Sequence, residues 1–293
     1  MEVQTIKIPY TSRSDVFTIY PLADLHGGTK QCNEKLLDAV IAEIKADPLA
    51  RWFGLGDMAD YINFHDKRFD INNLAPWLVK ALTETPLNRK QKDKAGFTIA
   101  SAQVDWLVQK FTPIADKCLG WGMGNHDEMI RIKYENEIAY TVANRLGVRN
   151  LGVCSYNRLL FSRLPGEQEK GATCTVVIYL HHGYFTGRLA GAIALGLQRM
   201  FYDNPQVDVI IVGHAHQRLA LPFECKHISW NGQQPFGSKT RWGIMTGPFK
   251  RAYSQPGELP TYEETKGYFM SSLGPIKIYI APNKDEKDRV TVY

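Results

Sequence analysis

The 293-residue chain is predicted to be an α/β protein of stacked sheets with helices outside. Two observations predict this. Apolar runs of strand length alternate with stretches of helical periodicity over the first two thirds, and the remainder is mostly strand-like. Residues 16–20 read as the first strand. Residues 34–46 follow as a helix with Leu36, Leu37, Val40, Ile41 and Ile44 on one face. Asp47-Pro48 ends it, because proline disfavours the helical conformation of the residue before it. Residues 51–55 are a short strand, 101–111 a helix, 117–123 a strand, and 135–146 a helix stopped by Gly147. A strand over 173–180, a helix over 189–201 and a strand over 207–212 complete the alternation. Strand character returns at 242–246, 268–273, 276–280 and 290–293.

Composition narrows the class. Hydrophobic residues make up 44% and charged residues 22%, a globular balance that excludes disordered, collagen-like and coiled-coil chains. At roughly 100–200 residues per domain, the simplest organisation is one domain over residues 1–293 with an insertion at about 61–100. The net charge of +5 is too small to argue alone for nucleic acid. The five cysteines are widely spaced with no Cys-x-x-Cys, which argues against a disulfide framework or a cysteine zinc site and for a reducing compartment. The N-terminus lacks a signal-peptide pattern, and no run reaches the roughly 18 apolar residues of a membrane helix. A cytoplasmic protein without a membrane partner is expected.

The informative residues stand where the apolar runs stop. The first ends in Asp24-Leu25-His26-Gly27, and the second in Gly56-Asp57-Met58-Ala59-Asp60. The third ends in Gly124-Asn125-His126-Asp127, the fourth in His181-His182-Gly183, and the fifth in Gly213-His214-Ala215-His216. Six of the eight histidines lie in these tips. Composition alone predicts about 0.4 occurrences of Asp-x-His but only about 0.02 of Gly-His-x-His, so the ordered set carries far more information than any one piece. In open α/β sheets ligands gather at the carboxyl ends of strands, so five tips side by side would share one cleft. The donors are carboxylate oxygen, amide oxygen and imidazole nitrogen, with no thiolate. Such a set suits Mn²⁺ first, with Fe, Zn²⁺, Ni²⁺ and Co²⁺ as alternatives. Asp24, His26, Asp57, Asn125, one of His181 and His182, His214 and His216 make seven donors, more than one ion uses. Two ions about 3.5–4 Å apart would use them, clamp an in-line phosphoryl displacement and lower the pKa of a shared water.

The ordered set Asp-x-His, Gly-Asp-x-x-Asp, Gly-Asn-His-Asp, His-His-Gly and Gly-His-x-His resembles the calcineurin-like metallophosphoesterase superfamily, and the likeness spans residues 24–216. The resemblance implies a four-layer α/β-β/α sandwich with a dinuclear centre. It implies that Asp24, His26 and His216 hold one ion, that Asp57 bridges, and that Asn125, the strand-end histidine and His214 hold the other. It also implies that His126 is not a ligand but protonates the leaving group, with Asp127 orienting it, while Asn125 contacts both metal and phosphate. The doubled histidine is ambiguous. Neighbours on a strand face opposite ways, and His182 precedes Gly183, the usual His-Gly context, so it is favoured over His181.

The expected activity is a metal-dependent phosphoesterase, a phosphodiesterase before a monoesterase, in which a metal-bridged hydroxide attacks phosphorus and His126 is the general acid. A DNA or RNA nuclease and a catalytically silent binding module on the same fold are the alternatives. The partner is a phosphoester substrate, with nucleic acid among the candidates; substrate, metal identity and oligomeric state stay open. Arg131, Lys133 and Arg188, close behind the tips, are candidate substrate contacts. Asp60 reads equally as a partner of a ligand histidine or as a helix cap. Asn63 and His65 read as a solvated loop, residues 89–94 as a solvated basic face, and Trp52 and Trp121 as core.

Overall fold

A computed structural model describes residues 1–84, 95–164, 173–184, 187, 189–228 and 236–293. The strands form two six-stranded sheets, whose central members such as Phe17–Leu22 and Val209–Val212 are near-continuously apolar. The first runs β12-β11-β2-β3-β4-β5, with β2 Phe17–Leu22, β3 Ala50–Gly54, β4 Cys118–Gly122, β5 Asn150–Gly152, β11 Ile278–Ile280 and β12 Val290–Val292. The second runs β1-β6-β7-β8-β10-β9, with β1 Glu2–Tyr10, β6 Cys154–Arg163, β7 Thr173–His181, β8 Val209–Val212, β9 Leu219–Ile228 and β10 Phe236–Met245. Every residue of β2 is buried. Phe17 and Ile19 face the other sheet, whereas Tyr20 and Leu22 face helices, as the period-two alternation of a strand requires.

Three apolar layers follow from that alternation. Between the sheets, Phe17, Ile19, Phe53 and Ile278 meet Ile8, Phe161, Ile178 and Ile211. Outside the first sheet pack α1 Glu34–Ala46, α3 Ala95–Phe111 and α5 Ile138–Leu146, closing over Trp52 and Trp121. Outside the second packs α6 Ala190–Asp203, through Ile193, Leu197 and Met200 onto Ile210 and Val212. Helix, sheet, sheet, helix is the α/β-β/α order expected.

Local chemistry sets the helix ends. The Asn33 side chain accepts from the Leu36 N–H at the start of α1. Gly147, at φ 69°, ends α5 in the left-handed conformation that glycine adopts without penalty. Beyond the predicted elements the structure has β1, β5, β6, β9, α2 Pro76–Glu84 and α4 Asn125–Tyr134. The helix expected from residue 135 begins at Ile138, because Glu135 takes φ 51° as the C-cap of α4. Residues 268–273 are not a strand. Phe269 and Met270 there are 61% and 75% exposed, so the apolar run covers no core. The basic cluster at 89–94 lies outside the described residues. No described helix is long and apolar enough to cross a membrane.

Candidate metal centre

The five tips do not come from one row of strands. β2, β3 and β4 run parallel in one sheet, β7 and β8 parallel in the other, and their carboxyl ends meet across the gap between sheets. The loop after β2 stays in register with the loop after β3. His26 N donates to Asp57 O at 3.0 Å and Gly27 N to Met58 O at 3.1 Å. The sheets are joined where His214 N donates to Asp24 Oδ2 (2.9 Å) and where His182 Nδ1 meets Leu55 O (2.9 Å).

This convergence strains the backbone. Among the described residues seven non-glycines have positive φ, and five are Asp24 (53°), His26 (48°), Asp57 (50°), His214 (71°) and His216 (53°). Aspartate and histidine tolerate this region better than most residues, yet each costs about 1 kcal/mol or more. Two glycines make the close approach possible. A Cβ on Gly56 would lie 2.2 Å from Gly124 N, and one on Gly124 would lie 2.1 Å from Asp57 Oδ1.

Among the described residues three groups of side chains are close enough to hold a metal ion: Asp24 with His26 and His216, Asp57 with His182 and His214, and His26 with Asp60 and His126, the last tied up by hydrogen bonds to Asp60. In the first, His26 Nε2 and His216 Nε2 are 3.0 Å apart, and His216 Nε2 is 3.5 Å from Asp24 Oδ1. Asp24 Oδ1 is buried with no hydrogen-bond partner. In the second, Asn125 Oδ1 lies 3.1 Å from His182 Nε2 and 2.8 Å from His214 Nδ1, and Asp57 Oδ2 lies 3.2 Å from His182 Nε2. An orphaned buried carboxylate oxygen and two imidazole nitrogens aimed at each other fit a divalent cation, which would pair with all of them. All three groups are oxygen–nitrogen sets, and among the described residues no cysteine joins them.

Of the two histidines at the end of β7, His182 faces this cluster. His181 points to the other side, its ring beside Tyr179 and Tyr184 and its Nδ1 accepting from Gly183 N at 2.8 Å. Asp60 supplies the support behind the first group. Its Oδ1 takes the Nδ1–H of His26 at 2.8 Å, and its backbone oxygen takes that of His126 at 2.5 Å. Both bonds fix a tautomer, leaving each ring's Nε2 as the outward nitrogen.

Charge is concentrated here. Burial pushes the Asp57 carboxyl up, but His182 and His126 outweigh it and hold it well below the usual range. Burial likewise opposes ionisation of Asp24, and the close approach of His216, 3.5 Å away, wins and holds it below the usual range. His182 is disfavoured as a cation by burial, yet Asp57 and Asp24 raise it to about 10. Burial, helped by Lys250, pushes His26 down to about 4. A cation bound by the second group therefore competes with a proton on His182.

Three expectations are corrected. The hydrogen bonds of the Asp127 carboxylate go elsewhere than to the His126 ring; its Oδ2 accepts from Gly124 N (2.9 Å) and Asp57 N (3.1 Å), because it is the third residue of α4 and caps that helix. Burial, then Asp57, raises its pKa to about 6. Arg131 and Lys133 do not line the cavity. Six and eight residues along α4 from Asn125, they sit roughly 9–12 Å down its axis, and Arg131 pairs with Glu128. Arg188 lies outside the described residues. Asn63 is 4% exposed rather than solvated, with Oδ1 accepting from Tyr134 Oη and His65 N.

An open cavity of about 180 Å³ lies over the first two groups. His26, Asp57, Asn125, His126, His214 and His216 line its floor. Arg68, Phe69 and Asn73 form one wall, and Lys250, Tyr262 and Glu263 the other. The cationic residues at this cavity among the described ones are thus Arg68 and Lys250, which no motif spacing marked. A second, wider groove of about 870 Å³ adjoins it through Thr29, Gln31 and Asn73.

No protein-family model and no curated protein matches the chain. Among solved structures it is similar to a conserved uncharacterized protein of Streptococcus pneumoniae TIGR4, titled a predicted phosphoesterase. That match has 10% identity, a TM-score of 0.35, and covers 95% of this chain and 98% of the other. It is also similar to GAP50, the anchor in the inner membrane complex of Plasmodium, with 11% identity, a TM-score of 0.34, and 94% and 88% coverage.

Proposed function

We propose that the chain is a metal-dependent phosphoesterase that hydrolyses phosphodiesters ahead of monoesters. The observation that carries this reading is the pairing of two adjacent ligand groups, Asp24 with His26 and His216 and Asp57 with His182 and His214, beside a further cavity histidine, His126, whose Nδ1 is already taken by Asp60 O. Asp24, His26 and His216 would hold one ion; Asn125, His182 and His214 the other; Asp57 would serve both. Two divalent ions held there, Mn²⁺ first by donor type, would supply Lewis-acid charge and lower the pKa of a water.

The chain's own groups do the rest. The amide ends of α4 and the Asp57 carboxylate stabilise each other, since Asp57 Oδ1 accepts from His126 N at 2.9 Å at the positive end of that helix. That contact fixes Asp57 and the first turn of α4 together. His126, with Nδ1 committed to Asp60 O, presents Nε2 to the cavity, and only the doubly protonated ring, with its second proton on Nε2, can give a proton there to a leaving oxygen. Asp60 holds this ring and His26 in fixed orientations, so that donor and ligand keep their spacing.

The test is hydrolysis of bis-p-nitrophenyl phosphate and p-nitrophenyl phosphate after loading with Mn²⁺, Ni²⁺, Zn²⁺ or Co²⁺. Diester turnover that is lost in Asp57→Ala and in His126→Ala is the expected result. Absence of turnover on both esters with all four ions overturns the enzyme reading, and unchanged turnover in Asp57→Ala overturns the metal site. A nuclease is the second reading. The groove beside the cavity, which brings Lys30, Lys35 and Arg251 to its walls, favours it, because an extended strand needs such a continuation. Cleavage of single-stranded or double-stranded DNA or RNA distinguishes it from hydrolysis of small diesters only.

A further inference from the structure

The wall made by Lys250 and Glu263 is unusual for a cavity that takes an anion. Lys250 follows Phe249, whose N–H donates to Asp24 O at 3.1 Å, so the lysine is carried directly beside the first ligand group. Glu263 sits on α7 Tyr262–Thr265. That short helix is tied to the Lys250 segment by a hydrogen bond from Thr261 Oγ1 to Ala252 O and one from Ser254 Oγ to Glu264 Oε2 at 2.7 Å. The wall is therefore built in advance rather than assembled by ligand.

Within it, Lys250 Nζ meets Glu263 Oε1 at 2.7 Å, with the side chains 12% and 6% exposed. The other carboxylate oxygen, Glu263 Oε2, is buried and has no hydrogen-bond partner, the same condition as Asp24 Oδ1 in the first ligand group. A half-satisfied buried carboxylate costs free energy and repels a phosphate. A ligand that brings a hydroxyl donor next to its phosphate relieves the first effect, and Lys250 offsets the second. Lys250 neutralises the site and keeps further N–H donors for phosphate oxygen. Tyr262 and Phe69 add flat apolar surface at the same cavity.

We infer that the Lys250–Glu263 pair reads the organic half of the substrate, and that the substrate is a phosphoester of a hydroxyl-bearing sugar, free or within a nucleoside. Lys250 takes a phosphate oxygen, and Glu263 Oε2 accepts from a neighbouring sugar hydroxyl. This inference rests on the phosphoesterase reading for the placement of the phosphate.

The test is calorimetric titration of the full chain, without added metal and with Mn²⁺, using inorganic phosphate, ribose 5-phosphate and adenosine 5′-monophosphate. Ribose 5-phosphate is expected to bind at least tenfold tighter than phosphate. In Glu263→Ala and Glu263→Gln that ratio collapses toward one, whereas Lys250→Met weakens all three ligands. Tighter binding of the nucleotide than of the sugar phosphate assigns the flat wall to the base; equal binding leaves the sugar as the recognised group. A ratio near one in the unmodified protein, or an unchanged ratio in folded Glu263→Ala, overturns the inference. If neither p-nitrophenyl ester is hydrolysed, the enzyme reading fails while these binding ratios still decide this one.

Discussion

The layer between the sheets and the cluster at the strand tips are opposite kinds of structure in one chain. Between the sheets, side chains such as Phe161, Ile178 and Ile211 are fully buried on relaxed strand backbone. At the tips, a few residues away, ligand candidates sit at positive φ and carry buried charge. The core supplies free energy, and the tips consume it to hold polar atoms where solvent would otherwise scatter them. A substitution should therefore act on stability in one region and on chemistry in the other.

That division can be broken most severely at Asp57 and Phe161. Asp57→Asn keeps the side chain's shape but removes its charge, and turnover of bis-p-nitrophenyl phosphate should fall by about 10³-fold or more. Phe161→Ala should cost about 3–5 kcal/mol in denaturant unfolding, with turnover per folded molecule preserved. Loss of turnover without loss of stability in Phe161→Ala would erase the distinction. Asp60→Ala tests the support behind the tips. Removing the acceptor of His26 Nδ1 should weaken metal affinity by about 10–100-fold, read by metal titration.

A smaller pair sharpens the backbone half of the comparison. At His216, with φ 53°, the glycine variant should be more stable than the alanine variant by about 1 kcal/mol in metal-free buffer. At Ala143 in α5 the order reverses, and Ala143→Gly should lose about 1 kcal/mol. Equal signs at the two positions would mean that the left-handed backbone of the tips carries no strain. The smallest effect belongs to the surface. Asp105→Ala removes the partner of Arg145, a pair at 2.6 Å with side chains 68% and 44% exposed. It should change stability by less than about 1 kcal/mol.

The tips were legible because a strand that ends buried must become polar abruptly, and aspartate, asparagine, histidine and glycine mark that point. α1 was legible because an apolar stripe runs through it and Asp47-Pro48 ends it. What escaped had weaker local signals. β1 is an edge strand whose exposed and buried residues are mixed with charge, so no core-facing run announces it. The start of α4 was hidden because Gly124-Asn125-His126-Asp127 reads as a strand tip. The aspartate at its third position was the available capping signal. Lys250 and Glu263 were invisible for a different reason. They reach the cavity through the backbone pairing of Phe249 with Asp24, a contact between segments 225 residues apart that spacing cannot reveal.

The parallel pairing of β1 with β6, from Glu2 against Ser155 to Tyr10 against Arg163, bears on how the chain matures. During synthesis, β2 to β5 with the Asp24, Asp57 and Asn125 tips are complete before the strand that β1 needs has emerged. His182, His214 and His216 emerge later still. The nascent chain thus carries Asp24, His26, Asp57 and Asn125 while its first strand waits with an open edge. Non-local pairing of this kind is slow to close and exposes unpaired edges meanwhile. The full set of ligand candidates is present only once His216 has emerged, so the centre cannot be complete before most of the chain has been made.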